Sequence, residues 1–328
     1  MIGFVIRRLL YMIPTVIIIS MVSFLIIEAP PGDYVSVYVA QLETMGEAID
    51  METIEGLRAR YGVDQPIYVK YFKWVYNMAH GDLGISMEWN DSVNNILKER
   101  LPWSIAVSGV AFLFVYTIGI IIGVISATRQ YSICDYTFTT VAFIGLAIPP
   151  FLSALVVLWL YFIFKGEVAL GLFSPQYQMA PWSFAKFINL LDHIWIPGLI
   201  VGLAETAGLI RMVRANLLDE LHKPYVMVAR TKGLSERKLL YKYPFRIAVN
   251  PIASTVGWTL PKLVNGELLT ALVLGLPTLA PIFLSSLLSQ DMFLAGSIVF
   301  ILSILTILGT LLSDILLAWL DPRIREAV

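Results

Sequence analysis

Charge is what this chain has least of. Of its 328 residues, 14% are Asp, Glu, Lys or Arg, against about 25% in an ordinary soluble domain. Hydrophobic residues make up 58%, and mean hydropathy is +0.76. A soluble chain of this size has nowhere to hide so much apolar surface, so the bilayer is its natural solvent. A basic balance is missing as well: the formal net charge of −1 excludes the counterion-replacing surface of a nucleic-acid binder. Cysteine is almost absent. Cys134 stands alone, so no intrachain disulfide forms, and no Cys/His cluster has metal-ligand spacing. His80, His193 and His222 are all expected in loops, no G-x-S-x-G occurs, and Asp314 has no expected intramembrane Asp partner, which argues against an intramembrane protease. There is also no G-x-x-x-x-G-K-[ST] loop to cradle a nucleotide phosphate.

What the chain does have is long apolar runs. A spanning helix needs roughly 20 mostly apolar residues. Six segments qualify, at about 9–27, 103–128, 137–164, 195–210, 248–275 and 293–317. The first ends in EAPPGD (28–33), which offers no small-residue cleavage site, so it reads as a retained signal anchor. Arg7, Arg8, Arg129, Arg323, Arg325 and the basic cluster from Arg211 to Arg246 fall on one side, which the positive-inside rule makes the cytoplasm. Both termini are then cytoplasmic. Residues 28–102, 165–194 and 276–292 lie outside. In the first of these, METIEGLRARYG (51–62) reads as a short helix stopped by Gly62. Pro66 starts the next, with Tyr68, Tyr71, Phe72, Val75 and Tyr76 as an apolar stripe expected to be packed core.

One basic segment breaks the apolar monotony: YVMVARTKGLSERKLL (225–240). Pro224 suits a first helical turn. Gly233 suits the left-handed residue that ends that helix. Ser235 can cap a second helix, with Glu236 favourable in its first turn. Leu239 and Leu240 give that second helix an apolar patch. The reading is a helix–turn–helix elbow projecting from the membrane as a docking surface.

Ala229-x-x-x-Gly233 on this loop is similar to the EAA loop of binding-protein-dependent ABC importers. The neighbouring Tyr225, Val226, Arg230, Lys232, Leu234, Ser235, Glu236 and Arg237 resemble the dipeptide/oligopeptide/nickel permease family, in its first-permease branch. RRLLYMIP (7–14), PPGD (30–33), GVDQPIYVKYFKW (62–74) with GDLGIS (81–86), and DPRIR (321–325) resemble the same family in order. The resemblance implies an all-α integral membrane protein with six transmembrane helices in the type I ABC importer permease fold. Residues 1–27 would form the cytoplasmic N-terminus and first span, 28–102 a small helical external subdomain, and 103–328 a five-helix core carrying a coupling loop at 212–247. It implies a multi-pass protein of the cytoplasmic membrane, half of a solute pathway. The partners would be a second permease subunit, two cytoplasmic ATPases, an external solute-binding protein and membrane lipid. The chain itself would bind no cofactor; ATP and Mg²⁺ would sit on the ATPases. Tyr225, Ala229, Arg230, Lys232, Gly233, Leu234, Ser235, Glu236, Arg237, Leu239 and Leu240 would form the ATPase-coupling loop. The chain departs from the family pattern at Met227 and Val228, at Tyr243 and Ile247, and at Ala271 and PTLA (277–280). SMEWND (86–91) and SQDMFLAG (289–296) resemble a branch associated with oligosaccharide uptake, so peptide, oligosaccharide and nickel stay open as solutes.

Charged residues also fall inside or near the spans, where an ionised side chain is expensive and faces a partner or a wet cavity. Glu205, Asn265 and Glu267 are candidate translocation-pathway residues, with structural pairing equally open for Glu205. Lys262 and Glu267 are five apart and do not stack on an ideal helix. Asp314, near the inner end, is expected to pair with a cytoplasmic Arg. Pro149-Pro150 is expected to kink or break the third span. An ion-coupled secondary transporter is the alternative: it would use the buried acids, but it leaves the elbow unexplained and no inverted repeat shows.

Overall fold

A computed structural model describes residues 2–28, 34–44, 51, 54–56, 65–166, 171–266 and 268–320. Among them, the one extended pairing is an isolated bridge between Ile85 and Ser92; everything regular is helical. The helices are α1 (Ile2–Glu28), α2 (Tyr34–Thr44), α3 (Ile67–Ala79), α4 (Val93–Thr128), α5 (Ile133–Ala147), α6 (Pro150–Lys165), α7 (Pro175–Gln178), α8 (Phe184–Leu221), α9 (Pro224–Thr231), α10 (Glu236–Lys242), α11 (Pro244–Ala248), α12 (Asn250–Gly266), α13 (Leu268–Leu274), α14 (Leu279–Leu288) and α15 (Met292–Leu320). PPGD, DPRIR, Glu267 and most of METIEGLRARYG lie outside the described residues.

Four helices are long and apolar enough to cross a membrane: α1, α4, α8 and α15. The count reaches six if each of two broken helix pairs is one span. The expected third span is one of these pairs. It is not a single rod: α5 and α6 meet at 106°. Ile148 and Pro149, each preceding a proline, hold extended ψ of 123° and 139°. A proline's Cδ excludes α-geometry from the residue before it, so two in succession force a break rather than a kink. The expected fifth span, 248–275, runs through α12 and α13, which are described on either side of residue 267. The fourth is longer than its apolar run. α8 starts at Phe184, where the Ser183 hydroxyl accepts the Lys186 N–H, and its 38 residues reach about 57 Å, well beyond the ~30 Å hydrocarbon core.

The chain divides into two compact units. The first comprises Met1–Leu9, Ile105–Pro277 and Leu305–Val328. Its centre is α4 against α8, and small residues set that approach. A Cβ on Gly202 would stand 3.1 Å from the Ala111 carbonyl oxygen, and one on Gly123 would stand 2.6 Å from the Val213 Cβ. In lipid, where apolar contact alone brings no advantage over tails, close packing of this kind is what holds helices together. Asp135 on α5 and Arg214 on α8 add a two-pronged ion pair at 3.0 Å each. Arg8 Nε lies 3.2 Å from Asp314 Oδ2, so that acid does pair with an arginine.

The second unit comprises Leu10–Ser104 and Thr278–Ile304. Val93, Ile96 and Leu97 pack with Leu279, Ile282, Leu294 and Ile298 as its core. Asp291 is fully buried; it accepts the Ser86 hydroxyl at 2.5 Å and the N–H groups of Glu88 and Leu294. That bond ties the SMEWND loop to the start of α15. The aromatic stripe of α3 is only partly core. Tyr71 and Trp74 meet Phe24 of α1, and Trp74 meets Phe300, but Tyr68, Phe72 and Tyr76 are 63–67% exposed. The buried face is turned by one residue from the stripe that periodicity suggested.

Candidate functional site: a basic elbow and an ion pair between α8 and α12

The basic segment folds as an elbow, and its parts follow from local chemistry. Pro224 occupies the first turn of α9. Gly233 takes φ +77°, the left-handed geometry that closes a helix. Ser235 stands at the N-cap of α10 with extended ψ of 143°, but its hydroxyl makes no capping bond, contrary to the sequence expectation. What holds the corner instead is Arg230, whose guanidinium grips both oxygens of Glu236 at 2.6 and 3.0 Å. That grip holds the Glu236 carboxyl below the usual range.

Packing inverts the expected docking patch. Leu239 is fully buried against Val226 and Ala229, with Tyr225, Leu234 and Tyr243 around them. Leu240 packs on Ala127, Leu217 and Ala248. The two leucines therefore glue the elbow to itself and to the ends of α4 and α8. The exposed residues of the elbow include Met227 (55% exposed), Val228 (53% exposed), Thr231, Lys232, Arg237 and Lys238. Arg237 lines a groove of about 1070 Å³ with Arg129, Gln130, Leu221 and Tyr241.

The sequence reading missed Glu220. Buried in the last turn of α8, it pairs with Lys223 and accepts the Tyr225 hydroxyl at 2.5 Å. Burial and the adjacent Glu220 carboxylate push the Tyr225 phenol well above its ordinary value. An acid five residues before a tyrosine, across a proline-initiated break, was the available signal.

The pathway candidates separate. Glu205 Oε1 receives Lys262 Nζ at 2.6 Å, joining α8 to α12. Glu267 lies outside the described residues, and Asn265 is placed only by its backbone, near the end of α12. The partner of Lys262 is thus 57 positions upstream. Beside the pair, the Tyr116 hydroxyl of α4 meets Thr255 Oγ1 at 2.7 Å and Thr259 Oγ1 at 3.2 Å on α12. Three helices thus present a polar belt inside an otherwise apolar bundle. Among the described residues, no group of His, Cys, Asp and Glu can hold a metal ion.

Comparison with known proteins places this geometry. Residues 119–326 match the binding-protein-dependent transport system inner membrane component, and residues 1–108 match the N-terminal component of the same systems. The oligopeptide transport system permease protein AppB of Bacillus subtilis is 32% identical over 326 residues, covering 99% of this chain and 100% of that protein. Oligopeptide permease OppB of Haemophilus influenzae is 28% identical over the same length and coverage. A putative peptide transport system permease protein of Brucella abortus is 29% identical over 325 residues, covering 99% of each. With both halves matched and relatives aligned from end to end, the chain belongs to the family of binding-protein-dependent transport system inner membrane components.

Proposed function

We propose that this chain is the permease subunit of an ABC importer for oligopeptides, forming half of the solute pathway together with a sister permease. It crosses the membrane six times with both termini inside. Two cytoplasmic ATPases supply the ATP and Mg²⁺ chemistry, and an external binding protein delivers the solute. The observation that carries the reading is the elbow. A rigid two-helix projection, sealed inside by Leu239 and bearing Met227 and Val228 on its outer face, is a lever without an engine of its own. ATPase closure against such a lever biases a two-state bundle, because a push at the boundary is differential contact between two conformations. The full-length relatives named for oligopeptide transport favour peptide over oligosaccharide as the solute.

The test is reconstitution. Co-expressed with its sister permease and ATPases, the chain should co-purify with them, and proteoliposomes should take up peptide only with ATP and loaded binding protein. Uptake by this chain alone, driven by a proton or sodium gradient without ATP, would replace the importer with an ion-coupled carrier.

A further inference from the structure

The Glu205–Lys262 pair sits where charge is hardest to keep, and it is not sealed. The Lys262 side chain is 65% exposed and that of Glu205 25%. Ser254, Trp258, Lys262 and Gly266 share one face of α12, four residues apart, and all are exposed, while Ile252, Val256, Thr259 and Leu263 are buried on the other. A lipid-facing stripe would be apolar throughout, as Leu152, Leu155, Val156, Trp159 and Ile163 are on α6. An ammonium projecting from such a face and paired to an acid on a spanning helix belongs instead to a wet cavity.

The pair also has unused capacity. An ammonium carries three donors and a carboxylate two acceptor oxygens, and among the described residues each group bonds only the other. Behind them, the Tyr116–Thr255–Thr259 hydroxyls tie α12 to α4 and fix the backbone from which Lys262 projects.

Resting on the reading of the chain as a peptide-importer permease, we propose that this pair is a transit site for the charged termini of peptides, Glu205 receiving the ammonium end and Lys262 the carboxylate end. A terminal charge entering a low-dielectric passage needs a counter-charge, and a standing unpaired ion would itself be costly. A salt bridge meets both demands: it is neutral at rest and exchanges partners when a zwitterion arrives. A neutral sugar has no charge to exchange, so the site discriminates against the other solute class. Trp258, one turn toward the inner face and 64% exposed, offers an aromatic wall to the peptide chain.

The experiment uses the complete complex in proteoliposomes with saturating, pre-loaded binding protein. It compares a tetrapeptide with free ends against its N-acetylated and C-amidated forms, and reads uptake beside ATP hydrolysis and subunit composition. Lys262→Met should slow the free-carboxylate peptides about tenfold while leaving the C-amidated one near wild type. Glu205→Gln should slow peptides with a free amino end about tenfold and spare the N-acetylated one. Lys262→Arg should keep transport of all three. An equal loss for every peptide, or no loss for any, overturns the transit site. Loss of the sister permease from both variants also overturns it, by making this face a subunit contact. If the wild-type complex hydrolyses ATP but takes up no peptide at all, the importer reading falls instead, a result distinct from uptake that ignores the termini.

Discussion

At Gly233 the backbone, not the surroundings, forbids a side chain. Its φ is +77°, and a Cβ there would meet nothing within 4 Å. Gly233→Val should therefore act through left-handed strain alone, about 1–2 kcal/mol, and should re-aim α10. Asn visits this geometry readily, so Gly233→Asn should keep the stimulation of ATP hydrolysis by loaded binding protein that Val abolishes. Equal behaviour of the two would remove the geometric role. Asp291 makes a second residue-scale case. Burial, only partly offset by the Ser86 hydroxyl and backbone N–H groups, raises its carboxyl above the usual value. A raised folded value means the folded state holds the proton more tightly. The resulting stability is full below the unfolded value of about 3.9 and is lost as pH climbs through the folded one. Tm should therefore rise as pH is lowered from neutral, and Asp291→Asn should flatten that component of the slope. An unchanged slope would show that the groups controlling acid stability lie elsewhere.

At the scale of elements, the elbow separates what holds it from what it offers. Leu239→Ala should cost about 2–5 kcal/mol, because the cavity opens in a seven-residue helix with no other fully buried anchor. It should lower Tm and expose the loop to protease. Met227→Asp should leave Tm nearly unchanged yet reduce co-purification of the ATPases. Should Met227→Asp melt the fold while retaining the ATPases, inside and outside have been exchanged. This division marks how far the sequence could be read. Pro224 and Gly233 announced the elbow because proline and glycine act on their own backbone. The inward turn of Leu239 was hidden because its partners, Val226 and Ala229, lie across the corner. The stripe of α3 failed because the position of α1 decides which face is covered: Tyr71 and Trp74 find Phe24, so Tyr68, Phe72 and Tyr76 stay exposed. Glu205 was legible as a costly charge, but its partner Lys262 was not, since only the folded bundle brings α8 to α12.

For the whole molecule, the Lys and Arg bias sets a topology that labelling can check. Cys134 is exposed and must first be replaced by Ser. A cysteine at Asn77 should then react with an impermeant thiol reagent outside sealed cells, and one at Ser235 should not. Equal labelling at both would reverse the orientation drawn from charge. The Arg8–Asp314 contact bears on how such a chain is made. Arg8 leaves the ribosome roughly 300 residues before Asp314 exists, a delay of about 15–60 s at ordinary elongation rates. Through that interval the arginine must wait without Asp314 as its counter-charge. The acid that clasps it arrives on α15 and meets a cation already in place. A chain interrupted inside α15 before Asp314 would therefore keep the Phe24 contacts of its first helix with α3 but lack the Asp314 clasp on Arg8, a mark that a membrane protease could read.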